Sequence, residues 1–340
     1  MQIVGLDIGG ANLKAATADG GAASVSFPLW QRPDELAAAL ESLISRFAAP
    51  DLLAVTMTGE LADCYATKAE GVARILQSVQ QAAHGAEVQV WQTAGEFVEP
   101  QDAADEPLLT AAANWHALAT WLGRLQPEGF ALLLDIGTTT TDVIPIFDGL
   151  PATEGTTDVG RLLAGELVYT GVRRTPLCAV APQAPFRGEM CPMAAELFAT
   201  THDVYLLTGE VAEEPNETST ANGQAATQAA AHDRIARQLC CDSTELDPEE
   251  AVVIARALRT AQIRQIATAV ERVVSRQPAE CRQVILSGSG IFLAEAVQQS
   301  LSTLRQVPVH RLDQILSVSV AESACAFALA RLAEERRLVP

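Results

Sequence analysis

Apolar and polar positions alternate along this chain in short blocks whose periods change from two to nearly four. Residues 2–8 form an apolar run ending in Asp7-Ile8-Gly9-Gly10, and residues 12–18 and 23–29 read as two further short strands. Gly9, Gly10, Gly20 and Gly21 punctuate the three runs, as hairpin turns require. From Asp34 to Phe47 the apolar residues Leu36, Leu40, Leu43, Ile44 and Phe47 recur at helical spacing, with Asp34 near the start. Leu52–Met57 reads as a strand, Ala66–Ala83 as a helix and Val88–Trp91 as a strand.

A similar order then returns. Phe130–Leu134 is a buried strand ending in Asp135-Ile136-Gly137, and Asp142–Phe147 is its hairpin partner. Pro248–Arg276 carries a long helical pattern, and Val284–Leu286 is a strand running into Ser287-Gly288-Ser289-Gly290. Phe292–Leu304 reads as a helix, Val307–Val309 as a strand and Val318–Arg336 as a closing helix that packs back on the first domain. The repeated βββαβαβ plan predicts two pseudo-equivalent α/β domains meeting at a cleft. Their expected extents are 1–128 and 129–340, the second with an inserted substrate region at about 155–245. Residues 95–107, acidic and holding two prolines, and the polar stretch 210–224 read as loops.

Composition narrows the partners. A formal net charge of -19 repels nucleic acid and anionic membrane surfaces. It still admits an anionic small molecule, because backbone N–H groups bind phosphate without a lysine. No stretch approaches the roughly 20 apolar residues of a membrane helix, and the start of the chain lacks a basic leader. Seven scattered cysteines with no Cys-x-x-Cys pair point to free thiols in a reducing cytoplasm. Cys178 and Cys191 make no zinc pattern.

Two motifs carry the candidate chemistry, Asp7-Ile8-Gly9-Gly10 with Lys14 and Asp135-Ile136-Gly137-Thr138-Thr139-Thr140 with Asp142. Each sets an aspartate where a buried strand surfaces and a glycine in the following turn. Small residues there expose consecutive N–H groups to an anion. Asp7, Asp135 and Asp142 are candidate ligands for a divalent cation, with Mg2+ expected beside the phosphates. A third motif, Gly288-Ser289-Gly290, precedes a helix whose N-terminus offers donors to phosphate or ribose. Glu60 and Asp63 follow a strand end where substrate loops lie, although they also suit a helix cap. Asn114 and His116 flank Trp115 and are candidate substrate contacts; His116 equally suits a packed position. Arg173 and Arg174 suit a phosphate or carboxylate grip, or an exposed basic pair.

These three glycine motifs resemble the two phosphate loops and the adenosine loop of the actin-like ATPase and sugar-kinase superfamily. That resemblance implies two actin-like (ribonuclease H-like) domains with a central cleft. The third motif is poorer in glycine than is usual there, so ATP is left open as a cofactor. A closer resemblance lies in Met57–Asp63, Lys68–Val72, Ala112–Ala117, Gly165–Cys178 and Asp203–Leu207. This series is similar to the hydantoinase/oxoprolinase-like proteins linked to tetrahydromethanopterin-dependent one-carbon transfer, including the aryl-ether synthases of methanofuran biosynthesis. The resemblance implies a cytoplasmic transferase joining an aminomethyl-furan-methyl diphosphate to the phenol of a γ-glutamyl-tyramine. Asp7, Lys14 and Asp142 are then the expected catalytic groups, and the partners are small molecules, with a homodimer left open. Two other readings stand beside it: an ATP-dependent small-molecule kinase or oxoprolinase-type hydrolase, and a non-catalytic nucleotide switch.

Overall fold

The computed structural model describes residues 1–338 and contains two six-stranded sheets, one per lobe. The last two residues of the expected second domain, 339–340, lie outside the described residues. In the first sheet β1 (Ile3–Ile8), β2 (Asn12–Thr17), β3 (Ala22–Ser26), β4 (Leu52–Met57), β5 (Glu87–Trp91) and β6 (Phe97–Val98) take the order β3-β2-β1-β4-β5-β6. β1 pairs antiparallel with β2 and parallel with β4, and both its faces are covered. That double burial is why its sequence is a continuous apolar run with no alternation.

The second lobe repeats this plan. β7 (Phe130–Ile136) pairs antiparallel with β8 (Thr141–Phe147), which carries the short β9 (Leu150–Pro151) and β10 (Leu167–Val168). β11 (Gln183–Phe186) and β12 (Glu189–Pro192) form a separate hairpin, and β13 (Cys281–Ser287) joins β7 to β14 (Val309–Arg311) in parallel. The 28-residue helix Pro248–Ser275 covers this sheet. Asp247 and Glu250 close its first turn as a capping box, with proline at the next position, which fixes where it begins. The architecture is the α/β fold of two actin-like (ribonuclease H-like) domains expected from the repeat.

Two helices lie between the sheets. Asn114–Leu122 packs Trp115, Leu118 and Leu122 against Leu133, Ile144 and Ile285 of the second sheet, while its Ala117 meets Leu52 and Trp91 of the first. Ala324–Leu338 crosses back to the first sheet so closely that a Cβ on Gly5 would lie 1.9 Å from the Ala326 carbonyl oxygen. Only glycine allows that approach. The two lobes therefore share one packed layer.

The structure departs from the periodicity in places. Residues 95–107 are not a loop: they hold β6 and the helix Pro100–Asp105, and the helix Pro107–Thr110 begins at their end. Both helices open on a proline, which the sequence reading took as a loop signal. The closing helix is broken at Ser323 into Val318–Glu322 and Ala324–Leu338. The inserted region contains helices Asp158–Ala164, Leu177–Val180, Thr201–Thr208 and Gln228–Gln238. Among the described residues no helix is long and apolar enough to cross a membrane.

Candidate active site

Strand pairing makes the two aspartate turns near copies. In the first, the Gly9 N–H donates to the Asn12 carbonyl at 3.0 Å; in the second, the Gly137 N–H donates to the Thr140 carbonyl at 2.9 Å. Asp7 stands opposite Lys14 on β2 and Thr56 on β4, and Asp135 stands opposite Asp142 on β8 and Ser287 on β13. Lys14 and Asp142 thus occupy equivalent positions with opposite charge. The third motif closes on the second turn: the Gly290 N–H donates to the Ile136 carbonyl at 2.8 Å. A Cβ on Gly288, whose φ is +87, would lie 2.6 Å from Asp135 Oδ1. Thr138, Thr139 and Thr140 are half-buried around the second turn. Val172 and Arg173 N–H groups grip its Gly137 and Thr138 carbonyls at 3.0 and 2.9 Å.

The charges of both lobes act on one another here. Burial raises the carboxyl of Asp7, and the nearby Lys14 ammonium partly offsets this. Burial, then the adjacent Asp142, pushes Asp135 up to about 7, with Lys14 and the Ser287 hydroxyl acting the other way and Asp7 adding to it. Asp135 therefore lies within electrostatic reach of Asp7 and Lys14 of the first lobe. Asp7 Oδ1 and Thr56 Oγ1 are buried without a hydrogen-bond partner. Such orphaned oxygens at a converging pair of carboxylates are what a bound cation and its ligands would satisfy. Among the described residues no three His, Cys, Asp or Glu side chains gather closely enough to enclose a metal. The donor set fits Mg2+, which takes one or two carboxylates and completes its shell with water and phosphate oxygens. Asp142 is not free for that role as expected from the sequence. It accepts a hydrogen bond from Arg161 Nη2 at 2.6 Å, and the Arg161 side chain is only 1% exposed.

A second cluster joins the lobes beside the turns. Arg161 also donates to the Glu166 carbonyl at 2.9 Å and lies 4.2 Å from the centre of the Trp115 ring. Lys68, at the start of helix Lys68–Ala82, pairs with Asp158 of the second lobe at 3.0 Å. Glu60 is buried next to this pair, and burial pushes its carboxyl up to about 7, a shift that Lys68 lowers and Asp158 raises. Because the folded value lies above the ordinary 4.5, the stability that neutral Glu60 contributes is complete below pH 4.5 and is lost as pH rises through about 7. Glu60→Gln is therefore expected to be more stable than the wild type by up to about 3 kcal/mol at pH 8. The gap should close as the pH approaches 4.5 in urea titrations. A gap independent of pH would refute the assignment.

The other expected residues separate. His116 Nδ1 accepts from Trp91 Nε1 at 3.3 Å, and burial followed by the Arg161 charge pushes its pKa down to about 4, so it is a packed neutral ring. Asn114 Oδ1 accepts from the Trp115 N–H at 2.8 Å, and Asp63 is exposed. Arg173 is paired with Glu214. Arg174 instead stacks 5.4 Å above Trp30 of the first lobe, bridging the segments that flank the two turns. Asp203 is held in a buried pair with Arg234 at 2.7 Å and supports the inserted region. Trp30, Thr56, Lys68, Asp158, Arg161 and Ser287 were not singled out from sequence for the site. Thr56 and Ser287 were detectable in principle as polar residues at the last turnward positions of apolar strands. A surface depression of 290 Å³ lined by Gln80, Ala83, Val88 and Pro100 lies elsewhere, and none of the motifs reaches it.

The Hydantoinase/oxoprolinase family model matches residues 51–336. Over 339 residues the chain is 31% identical to the (4-{4-[2-(gamma-L-glutamylamino)ethyl]phenoxymethyl}furan-2-yl)methanamine synthase of Methanocaldococcus jannaschii, covering 99% of this chain and 98% of that protein. A protein of the same name from Methanococcus vannielii is 31% identical over 173 residues, 51% of this chain and 75% of that one. Among solved structures, the activator of 2-hydroxyisocaproyl-CoA dehydratase from Clostridium difficile with bound ADPNP covers 100% of this chain and 98% of its own, at a TM-score of 0.46 and 15% identity. Component A of the Acidaminococcus fermentans (R)-2-hydroxyglutaryl-CoA dehydratase covers 99% of both chains, at a TM-score of 0.48 and 12% identity.

Proposed function

The chain belongs to the hydantoinase/oxoprolinase family, and from that membership we propose that it is a transferase of methanofuran-type cofactor biosynthesis. In this reading it joins an aminomethyl-furan-methyl diphosphate to the phenol of a γ-glutamyl-tyramine and releases diphosphate. The observation that carries the reading is the likeness, over almost the whole of both chains, to the Methanocaldococcus jannaschii synthase. The site supports it independently through two opposed N–H turns with a half-buried lysine between acidic groups, a suitable receptacle for a charged leaving group.

The chemistry follows from the charges. The phenolic oxygen attacks the methylene carbon while the bond from that carbon to the diphosphate oxygen breaks. The electron pair leaves with diphosphate, and the phenol gives up its proton. Backbone N–H groups of Gly10 and Ala11 in the first turn and of Thr138–Thr140 in the second would donate to the departing oxygens, where negative charge grows most. Lys14 supplies a cation on the same side. Asp7 and Asp135 would hold Mg2+, which when bound neutralises charge on the diphosphate. Asp142 keeps Arg161 in place and takes no part in bond making.

Purified protein with Mg2+, the furan diphosphate and the γ-glutamyl-tyramine should yield the aryl ether and one free diphosphate per turnover by mass spectrometry. ATP should be dispensable, because the leaving group is already activated. Product that forms only with ATP would favour the kinase reading. Tight ADP binding with neither substrate consumed would favour a nucleotide switch.

A further inference from the structure

Glu60 lies three residues beyond the end of β4, next to Gly59, which packs on the first phosphate turn. The N–H groups of Thr58 and Gly59 both donate to the Ile8 carbonyl, at 2.9 and 3.1 Å. A Cβ on Gly59 would lie 3.2 Å from the Gly9 carbonyl carbon and 3.3 Å from the Gly10 nitrogen. The helix Lys68–Ala82 then presses on the Glu60 backbone, since a Cβ on Gly71 would sit 2.0 Å from the Glu60 carbonyl oxygen. From another side, Met57 pairs with Ala111, and Ala112 turns its N–H toward Glu60 from a left-handed conformation at φ +50. A non-glycine residue held there is strained, and such strain concentrates at functional sites. At the centre of this packing Glu60 Oε2 is buried without a hydrogen-bond partner, on a side chain 1% exposed.

The charged groups facing Glu60 are Lys68 from its own lobe and Asp158 from the other, and these are paired with each other. No cation is committed to the carboxylate itself. A phenol that ionises near 10 needs a base when it attacks at neutral pH. The other candidates are engaged. Asp142 is held by Arg161 and His116 Nδ1 already accepts a hydrogen bond, while the transferase reading gives Asp7 and Asp135 to Mg2+.

We infer that Glu60 is the general base of ether formation, an inference that rests on the transferase reading. The phenolic proton passes to Glu60 Oε2 as the oxygen–carbon bond forms and the carbon–diphosphate bond breaks. The proton then leaves to solvent after product departs. The Lys68–Asp158 pair joins the lobes beside Glu60, so access of the acceptor to the carboxylate requires that pair to part. Burial that holds the carboxyl near 7 gives a base matched to neutral pH.

The test uses full-length wild type and Glu60→Gln with two acceptors, γ-glutamyl-tyramine and a ring-polyfluorinated analogue whose phenol is already ionised at the assay pH. With the ordinary acceptor kcat should fall about 100-fold or more, with the KM for the furan diphosphate unchanged. The acid limb of the wild-type pH profile should vanish. With the fluorinated acceptor the loss should shrink to a few fold, because no proton remains to be removed. Equal losses with both acceptors, or no loss with the ordinary one, would overturn the inference. Glu60→Asp, which keeps the carboxylate, should retain activity between the two, and activity no higher than that of Glu60→Gln would also count against it. Wild type that makes no ether from either acceptor would overturn the transferase reading, and this assignment with it.

Discussion

Replacing Arg161 by methionine is expected to cost about 3–5 kcal/mol of folding stability, the largest single-site loss anticipated for this chain. The side chain is 1% exposed and its guanidinium compensates Asp142, so its removal strands a carboxylate that burial already raises. The same change removes the cation from the face of Trp115 and a donor from the Glu166 carbonyl. Trp115 belongs to the helix that touches both sheets, so the damage should reach the relative seating of the lobes as well as the second lobe. Urea unfolding at pH 7 measures the loss. Arg161→Met/Asp142→Asn should recover part of it, because the stranded charge is gone, and the coupling between the sites should exceed about 1 kcal/mol. A single-mutant cost below about 1 kcal/mol would mean that the pair is solvated and adds little.

That pair also marks where sequence reasoning stops. The strands around Asp7 and Asp135 were legible because burial on both faces writes an unbroken apolar run, and the run ends where the aspartate surfaces. The repeated order of elements followed from the same signal. Arg161 carries no comparable mark. It lies 19 residues from Asp142 on a seven-residue helix, and its partner is chosen by the packing of that helix beside β8. Asp142 therefore read as a free carboxylate. Glu60 was singled out at its strand end, but its burial was not legible. Thr58-Gly59-Glu60-Leu61-Ala62-Asp63 has the polarity of a surface loop, yet Glu60 is buried and Asp63 is exposed. Burial at Glu60 depends on Gly71 letting a helix touch its backbone, and a glycine within a helix is otherwise read as a weakness. The opposite charges of Lys14 and Asp142 at equivalent positions were invisible until the hairpin registers were known.

The register also decides which aspartate to change. Asp142→Asn alone now tests the Arg161 pair more than the phosphate site. Asp135→Asn is the cleaner probe, because Asp135 has no ion-pair partner among the described residues and is crowded by Asp142. In the ligand-free protein the substitution removes a carboxylate that burial and Asp142 both disfavour, so the melting temperature at pH 8 should stay level or rise. Binding of Mg2+ with diphosphate should weaken on the order of 100-fold, about 3 kcal/mol. In the proposed reading one of the cation's two carboxylates is lost, and the N–H turns must then hold a phosphate whose charge is less well balanced. Calorimetry of Mg2+–diphosphate binding and thermal melts with and without both ligands give the two readouts. Stability and affinity moving in opposite directions is the signature of a group retained for its ligand at the expense of the empty fold. Unchanged affinity, or a fall in both together, would remove Asp135 from the site and leave Asp7 as the carboxylate to test.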